Sequence, residues 1–303
     1  MSTSGTAPAA AQPHPLGTQV AIEALGSFFI VFVGLATALF SASTSAVAFG
    51  YGLALVAALV SFGSISNGYF NPAFSLAMAV AGRIKWLPMV LYVAAQTIGA
   101  VLASGVIYAV VQVIPADSTG GASKVFATLA SGFDDHSPLK VPMVGVMIVE
   151  IVAAAVLVAV ILGATHARNN TNLAPFGIGL ALAVSASIAL PVGNSALNPA
   201  ASSAVVFLTD SWAAGQLWLF WLAPLFGAAL AAAIYRTFVP PAPVPAMDDA
   251  GAAAGADAPP SPLETLSAGT LDALPAPVSA QDASGAAAPA PKRSDAQDFF
   301  DAR

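Results

Sequence analysis

Four polar side chains stand out in an otherwise apolar sequence: the amides of Asn71 and Asn198 and the carboxyls of Glu23 and Glu150. Their chemistry is hydrogen bonding, not bond making. An amide N–H can donate to the oxygen of a passing neutral molecule, and a carboxylate can accept backbone N–H groups left over at a helix start. No nucleophile–base pair, phosphate-binding loop or metal-ligand cluster accompanies them in the sequence, which argues against an enzyme and calls for no cofactor or metal. The sequence has no Cys, so disulfides, a thiol nucleophile and a thiolate metal site are also excluded.

Each Asn opens the same tripeptide, Asn71-Pro72-Ala73 and Asn198-Pro199-Ala200, after a Gly/Ser/Asn-rich passage and before a short apolar run. Asn caps helix starts well and Pro suits the first helical position. Each tripeptide therefore predicts a helix of about ten to twelve residues, roughly 16 Å long, half of an apolar bilayer core of about 30 Å. Glu23 precedes Asn71 by 48 residues and Glu150 precedes Asn198 by 48, so the chain repeats at an offset of 127. Small residues repeat as well: Ala95, Gly99 and Ala103 match Ala223, Gly227 and Ala231 at an offset of 128. Small side chains every four positions let membrane helices pack closely.

The elements that must position these groups are legible in the composition. The chain is 57% hydrophobic and 8% charged, values that belong to a membrane protein. Six apolar runs, at about 18–40, 46–65, 86–113, 141–165, 173–193 and 212–238, are long enough to span a bilayer. The tripeptides follow the second and fifth runs, so each repeat (about 17–113 and 141–238) holds three crossings and one half-helix. An odd number of crossings inverts the second repeat relative to the first, an arrangement that places the working site near the midplane. Residues 1–16 read as a disordered N-terminus, 17–239 as the membrane domain, and 240–303 as a disordered Ala/Pro/Asp-rich tail. The longest intervening segment, about 114–140, reads as a polar loop. The net charge of −6 lies in the tail, and no basic surface remains for nucleic acid. Arg83, Lys85, Arg168 and Arg236 fall on one side with both termini, against Lys124 and Lys140 on the other, so both termini are expected in the cytoplasm.

A broken crossing leaves backbone groups unpaired within the membrane, and that is tolerated only where protein buries them or water reaches them. Two half-helices meeting end to end aim their positive N-terminal ends at the midplane, where they repel cations. Asn71 and Asn198 would hold a passing water as an acceptor and interrupt proton hopping. Glu23 and Glu150 are costly in hydrocarbon and should face the protein interior. Each is expected to accept backbone N–H bonds from the loop before its own half-helix; a structural Glu near a helix end is the alternative.

These residues resemble the major intrinsic protein family, the aquaporins and glycerol facilitators. Ser66 to Ala73 is similar to the family's first pore loop, and Pro191 to Ala200 to the second. Gly132-Phe133 with His136-Ser137-Pro138 resembles an extracellular loop of bacterial water-type aquaporins. The resemblance, over about residues 17–238, implies an all-α membrane protein with an aquaporin-like inverted repeat: six transmembrane helices plus two half-helices, one pore per subunit, and a homotetramer in a bacterial inner (plasma) membrane. It also implies an outer constriction at Tyr51, Ala186, Ser195 and Ala201. Water-selective members usually carry Phe, His, a small residue and Arg there. This chain lacks both the His and the Arg, which should widen the ring and remove a fixed positive charge. Ser202 and Phe220-Trp221 are nevertheless similar to the water group. The expected function is a passive channel for water and for small neutral solutes such as glycerol, urea, ammonia or hydrogen peroxide. Other classes that share these features are a facilitator with little water selectivity, a non-conducting structural membrane protein, and a coupled transporter. The last would need titratable midplane groups, for which only Glu23 and Glu150 are candidates.

Overall fold

The computed structural model describes residues 14–115, 117, 120–169 and 171–239. The tail from Pro240 and the first thirteen residues lie outside the described residues. Six long apolar helices carry the fold: α1 (Leu16–Phe40), α2 (Thr44–Ser66), α4 (Trp86–Val113), α6 (Met143–Ala164), α7 (Ala174–Gly193) and α9 (Ser211–Phe238). Between them lie the half-helices α3 (Pro72–Val80) and α8 (Pro199–Ala204), and a short helix α5 (Ala122–Leu129). The long helices turn large apolar side chains such as Leu53, Ile98, Leu102, Val156, Leu222 and Phe226 outward. Such a surface suits lipid rather than water.

The two repeats pack alike. α1 lies on α2 and α4, α6 lies on α7 and α9, and α2 crosses α7 between the repeats. Glycines set these close approaches. A Cβ on Gly99 would stand 2.1 Å from the Ala24 carbonyl oxygen, and one on Gly227 would stand 2.1 Å from that of Ile151. Gly52 and Gly179 face each other at the central crossing, where a Cβ on either would come within 2.5 Å of the other's carbonyl oxygen. Each half-helix nests against the last long helix of the opposite repeat, α3 on α9 and α8 on α4. At the face where α1 begins, Arg83 ties the repeats together, donating to the Leu162 carbonyl at 3.1 Å and the Tyr235 hydroxyl at 2.7 Å.

Two expectations need correction. The half-helices have nine and six residues, not ten to twelve. After Ala204 the apolar run continues, but Val205 and Val206 are buried without being helical, so burial rather than helix length sets that run. The segment 114–140 is also more than a loop. Val125, Phe126 and Leu129 line one face of α5 and are buried, with the Phe126 ring 5.9 Å from that of Tyr108.

Candidate pore between the half-helices

Both pore loops are built the same way. The long helix before each ends on an Asn in the left-handed region, Asn67 (φ 72°) in the first repeat and Asn194 (φ 50°) in the second. The residue before each capping Asn is left-handed too, Phe70 at φ 51° and Leu197 at φ 57°. Bulky residues occupy that region only when their surroundings hold them there. Then each Asn caps its half-helix: the Asn71 Oδ1 accepts from Ala73 N at 2.8 Å, and the Asn198 Oδ1 from Ala200 N at 3.0 Å.

Glu23 holds the first loop. Its Oε1 accepts from the Ser66 hydroxyl at 2.7 Å and Tyr69 N at 3.0 Å; its Oε2 accepts from Phe70 N at 2.6 Å and Gln96 Nε2 at 2.7 Å. Four donors fill the lone-pair positions of a carboxylate. The Phe70 ring in turn sits where Gly26 has no side chain, since a Cβ there would lie 2.2 Å from it.

Glu150 departs from the expected role. It accepts no backbone N–H bond; its Oε2 takes the Ser195 hydroxyl at 3.1 Å, and its buried Oε1 has no partner among the described residues. Two residues differ: Pro224 stands where Gln96 donates to Glu23, and the loop itself carries a different residue. Ser195 stands where the first loop has Gly68, and its hydroxyl oxygen itself accepts from Leu197 N at 3.1 Å. The side chain thus stands between the loop backbone and the carboxyl.

The loops meet. The Asn71 Nδ2 donates to the Leu197 carbonyl, next to Asn198, at 3.1 Å. The Asn198 Nδ2 has no hydrogen-bond partner among the described residues, so it remains a free donor. Both Asn side chains line one cavity with Ile30, Tyr51, Leu55, Tyr69, Phe70, Phe74, Leu182 and Ala196. The space inside it that a water-sized sphere can reach suffices for about one water molecule. Part of its wall follows the repeat: Leu55 pairs with Leu182, Tyr69 with Ala196, and Asn71 with Asn198 at the 127 offset, whereas Ile30, Tyr51, Phe70 and Phe74 have no counterpart on it.

Only one of the four positions expected for an outer constriction lies on the wall of this cavity. Tyr51 lines the cavity, with its ring against Gly34, whereas Ala186, Ser195 and Ala201 are buried and do not line it. Ser195 is committed to Glu150, and Ala201 N lies 3.5 Å from the Asn198 Oδ1. The segment after α5 fastens to the second loop beside them. The Asn194 Nδ2 donates to the Thr128 and Ala130 carbonyls at 2.8 and 3.0 Å, and the Ser131 hydroxyl to the Asn194 carbonyl at 3.0 Å. Farther out, the His136 ring stacks on Trp212 with centroids 3.8 Å apart. Tyr69 and Ala196 are wall residues that motif matching passes over. The available signal was the repeat, which sets a large ring opposite a methyl two residues before each capping Asn.

Six apolar spans, an inverted repeat and two half-helices capped at a shared cavity define a membrane transport protein rather than an enzyme. Residues 12–235 match the family described as "Major intrinsic protein", and the chain belongs to that family. Among its relatives is an Aquaporin Z of Bradyrhizobium diazoefficiens, 37% identical over 224 residues, covering 71% of this chain and 91% of the relative. The Aquaporin Z of Photorhabdus laumondii is 34% identical over 225 residues, 72% of this chain and 96% of the relative. In fold, the chain is similar to the aquaglyceroporin from Plasmodium falciparum, with a TM-score of 0.61 at 20% identity, covering 73% of this chain and 96% of that one.

Proposed function

We propose that this protein is a passive channel through which water crosses the membrane past Asn71 and Asn198. The observation that carries the proposal is the cavity lined by both capping Asn residues, where the Asn198 amide has no partner among the described residues and the space suits about one water. The N-terminal ends of α3 and α8 add positive potential at the same place, disfavouring cations. Relatives named Aquaporin Z support the same solute.

Neutral molecules about as wide as water, such as ammonia and hydrogen peroxide, share the path. With Ala at 186 and 201, no fixed cation guards the outer end. A cavity with room for about one water disfavours glycerol and urea, so a broad facilitator is the weaker proposal. By family relationship the protein forms homotetramers in a bacterial inner membrane. Both termini are cytoplasmic, a topology supported by Arg83, Lys85, Arg168 and Arg236 near the face where α1 begins.

Stopped-flow light scattering on proteoliposomes tests water conduction. Osmotic shrinkage should be much faster than in protein-free vesicles, with no accompanying ionic current. Shrinkage at the lipid rate would refute the proposal.

A further inference from the structure

The cavity wall is only partly symmetric, and side-chain size differs across it. Leu55 and Leu182 face it from matching positions, as do Asn71 and Asn198. Two residues before each Asn the match fails: the first repeat has Tyr69 and the second has Ala196. Both line the cavity, so a phenol ring stands at one position where its repeat-matched counterpart has only a methyl group.

Tyr69 is also held in place. Its N–H donates to the Glu23 Oε1 at 3.0 Å, which fixes the backbone. Its ring lies 6.1 Å from that of Tyr92 at 50°, and the Tyr92 hydroxyl donates to the Gln19 Oε1. The side chain is 9% exposed, and its hydroxyl makes no hydrogen bond with any described residue. That hydroxyl is not sealed off like the buried, unpartnered Glu150 Oε1, so water in the cavity can satisfy it. In this position, on a cavity wall, the solute in the path is the available partner.

Of the four positions expected at the opposite end, Tyr51 carries a ring and the other three are small. Ala186, Ser195 and Ala201 carry small side chains, and the Ser195 hydroxyl is engaged by Glu150. We infer that Tyr69 is a specificity-determining residue of this pore: its braced ring, on the α3 side of the Asn pair, narrows the path where its counterpart Ala196 cannot. The inference rests on water conduction through this cavity. It deepens that proposal by naming the permeant class, neutral molecules no wider than water.

The test compares water and glycerol permeation in proteoliposomes of the native chain, Tyr69→Ala and Tyr69→Phe. Native protein should conduct water while glycerol enters near the lipid rate. Tyr69→Ala should raise the glycerol-to-water ratio by at least about tenfold, the equivalent of about 1.4 kcal/mol of barrier. Tyr69→Phe, which keeps the ring, should keep glycerol out. If Tyr69→Ala does not assemble, Tyr69→Leu reports the same ratio. Adding Ala201→Arg to Tyr69→Ala should bring the ratio back down, because a large side chain is restored at the other end. Native water flux with an unchanged ratio in Tyr69→Ala and Tyr69→Leu would overturn the inference alone. Rapid glycerol entry through the native protein would do so too. Native vesicles that shrink at the lipid rate would overturn water conduction and the inference together.

Discussion

Replacing each intramembrane carboxyl by its amide should have very unequal consequences. In Glu23→Gln, one carboxylate oxygen becomes an NH2 group. Two of the four donors now held, from Ser66, Tyr69, Phe70 and Gln96, then lose their acceptor and face another donor. At about 1.5–3 kcal/mol for each hydrogen bond to a charged group, the loss is about 3–6 kcal/mol. It falls on the loop that holds Phe70 at φ 51°, a conformation that depends on its surroundings. In Glu150→Gln, the remaining oxygen can keep the Ser195 hydroxyl, and the new NH2 replaces an oxygen that has no partner among the described residues. That change should cost less than about 1 kcal/mol. Thermal unfolding in detergent, followed by circular dichroism, measures the difference, and osmotic shrinkage of proteoliposomes shows whether the first loop still forms a path. Glu23→Gln should lower the unfolding midpoint strongly and reduce water flux; Glu150→Gln should do neither to a comparable degree. Equal shifts, or a larger one from Glu150→Gln, would refute the hydrogen-bond reasoning.

Gly227→Ala should impair assembly, because its Cβ would stand 2.1 Å from the Ile151 carbonyl oxygen, whereas a Cβ on Gly215 meets nothing within 4 Å. Overpacking of this kind costs about 1–3 kcal/mol or more, so yield and unfolding midpoint should fall for Gly227→Ala and hold for Gly215→Ala. Asn194→Gly keeps the left-handed cap but removes the amide that binds the Thr128 and Ala130 carbonyls. At about 1 kcal/mol per bond, backbone hydrogen exchange should accelerate across residues 128–133 while the long helices stay protected.

The spans and the repeat were legible because both depend on simple periodic constraints. A membrane crossing needs a long apolar run, and an inverted repeat keeps Glu23 and Glu150 at one distance from Asn71 and Asn198. The capping pairs followed from local chemistry, since Asn before Pro at a helix start needs no tertiary information. Helix α5 was hidden because its buried face has only Val125, Phe126 and Leu129 within a polar stretch. The end of α8 was hidden because Val205 and Val206 are apolar for burial, not for helix formation. The unequal support of the two loops involves Ser195 in place of Gly68 and Pro224 in place of Gln96, and a hydroxyl's choice between carboxyl and backbone is settled only in three dimensions. Tyr69 became visible as a wall residue once both loops met at one cavity.

The central claim is that solute passes beside the caps of the two half-helices, and Ala196→Trp tests it most directly. Ala196 is 5% exposed on the cavity wall, and the matching position of the first repeat already carries an aromatic ring. Stopped-flow shrinkage of proteoliposomes should be fast for the native chain and fall to the protein-free rate for Ala196→Trp, with both proteins eluting alike on size exclusion. A correctly assembled Ala196→Trp protein that conducts water as fast as the native chain would contradict a path between Asn71 and Asn198.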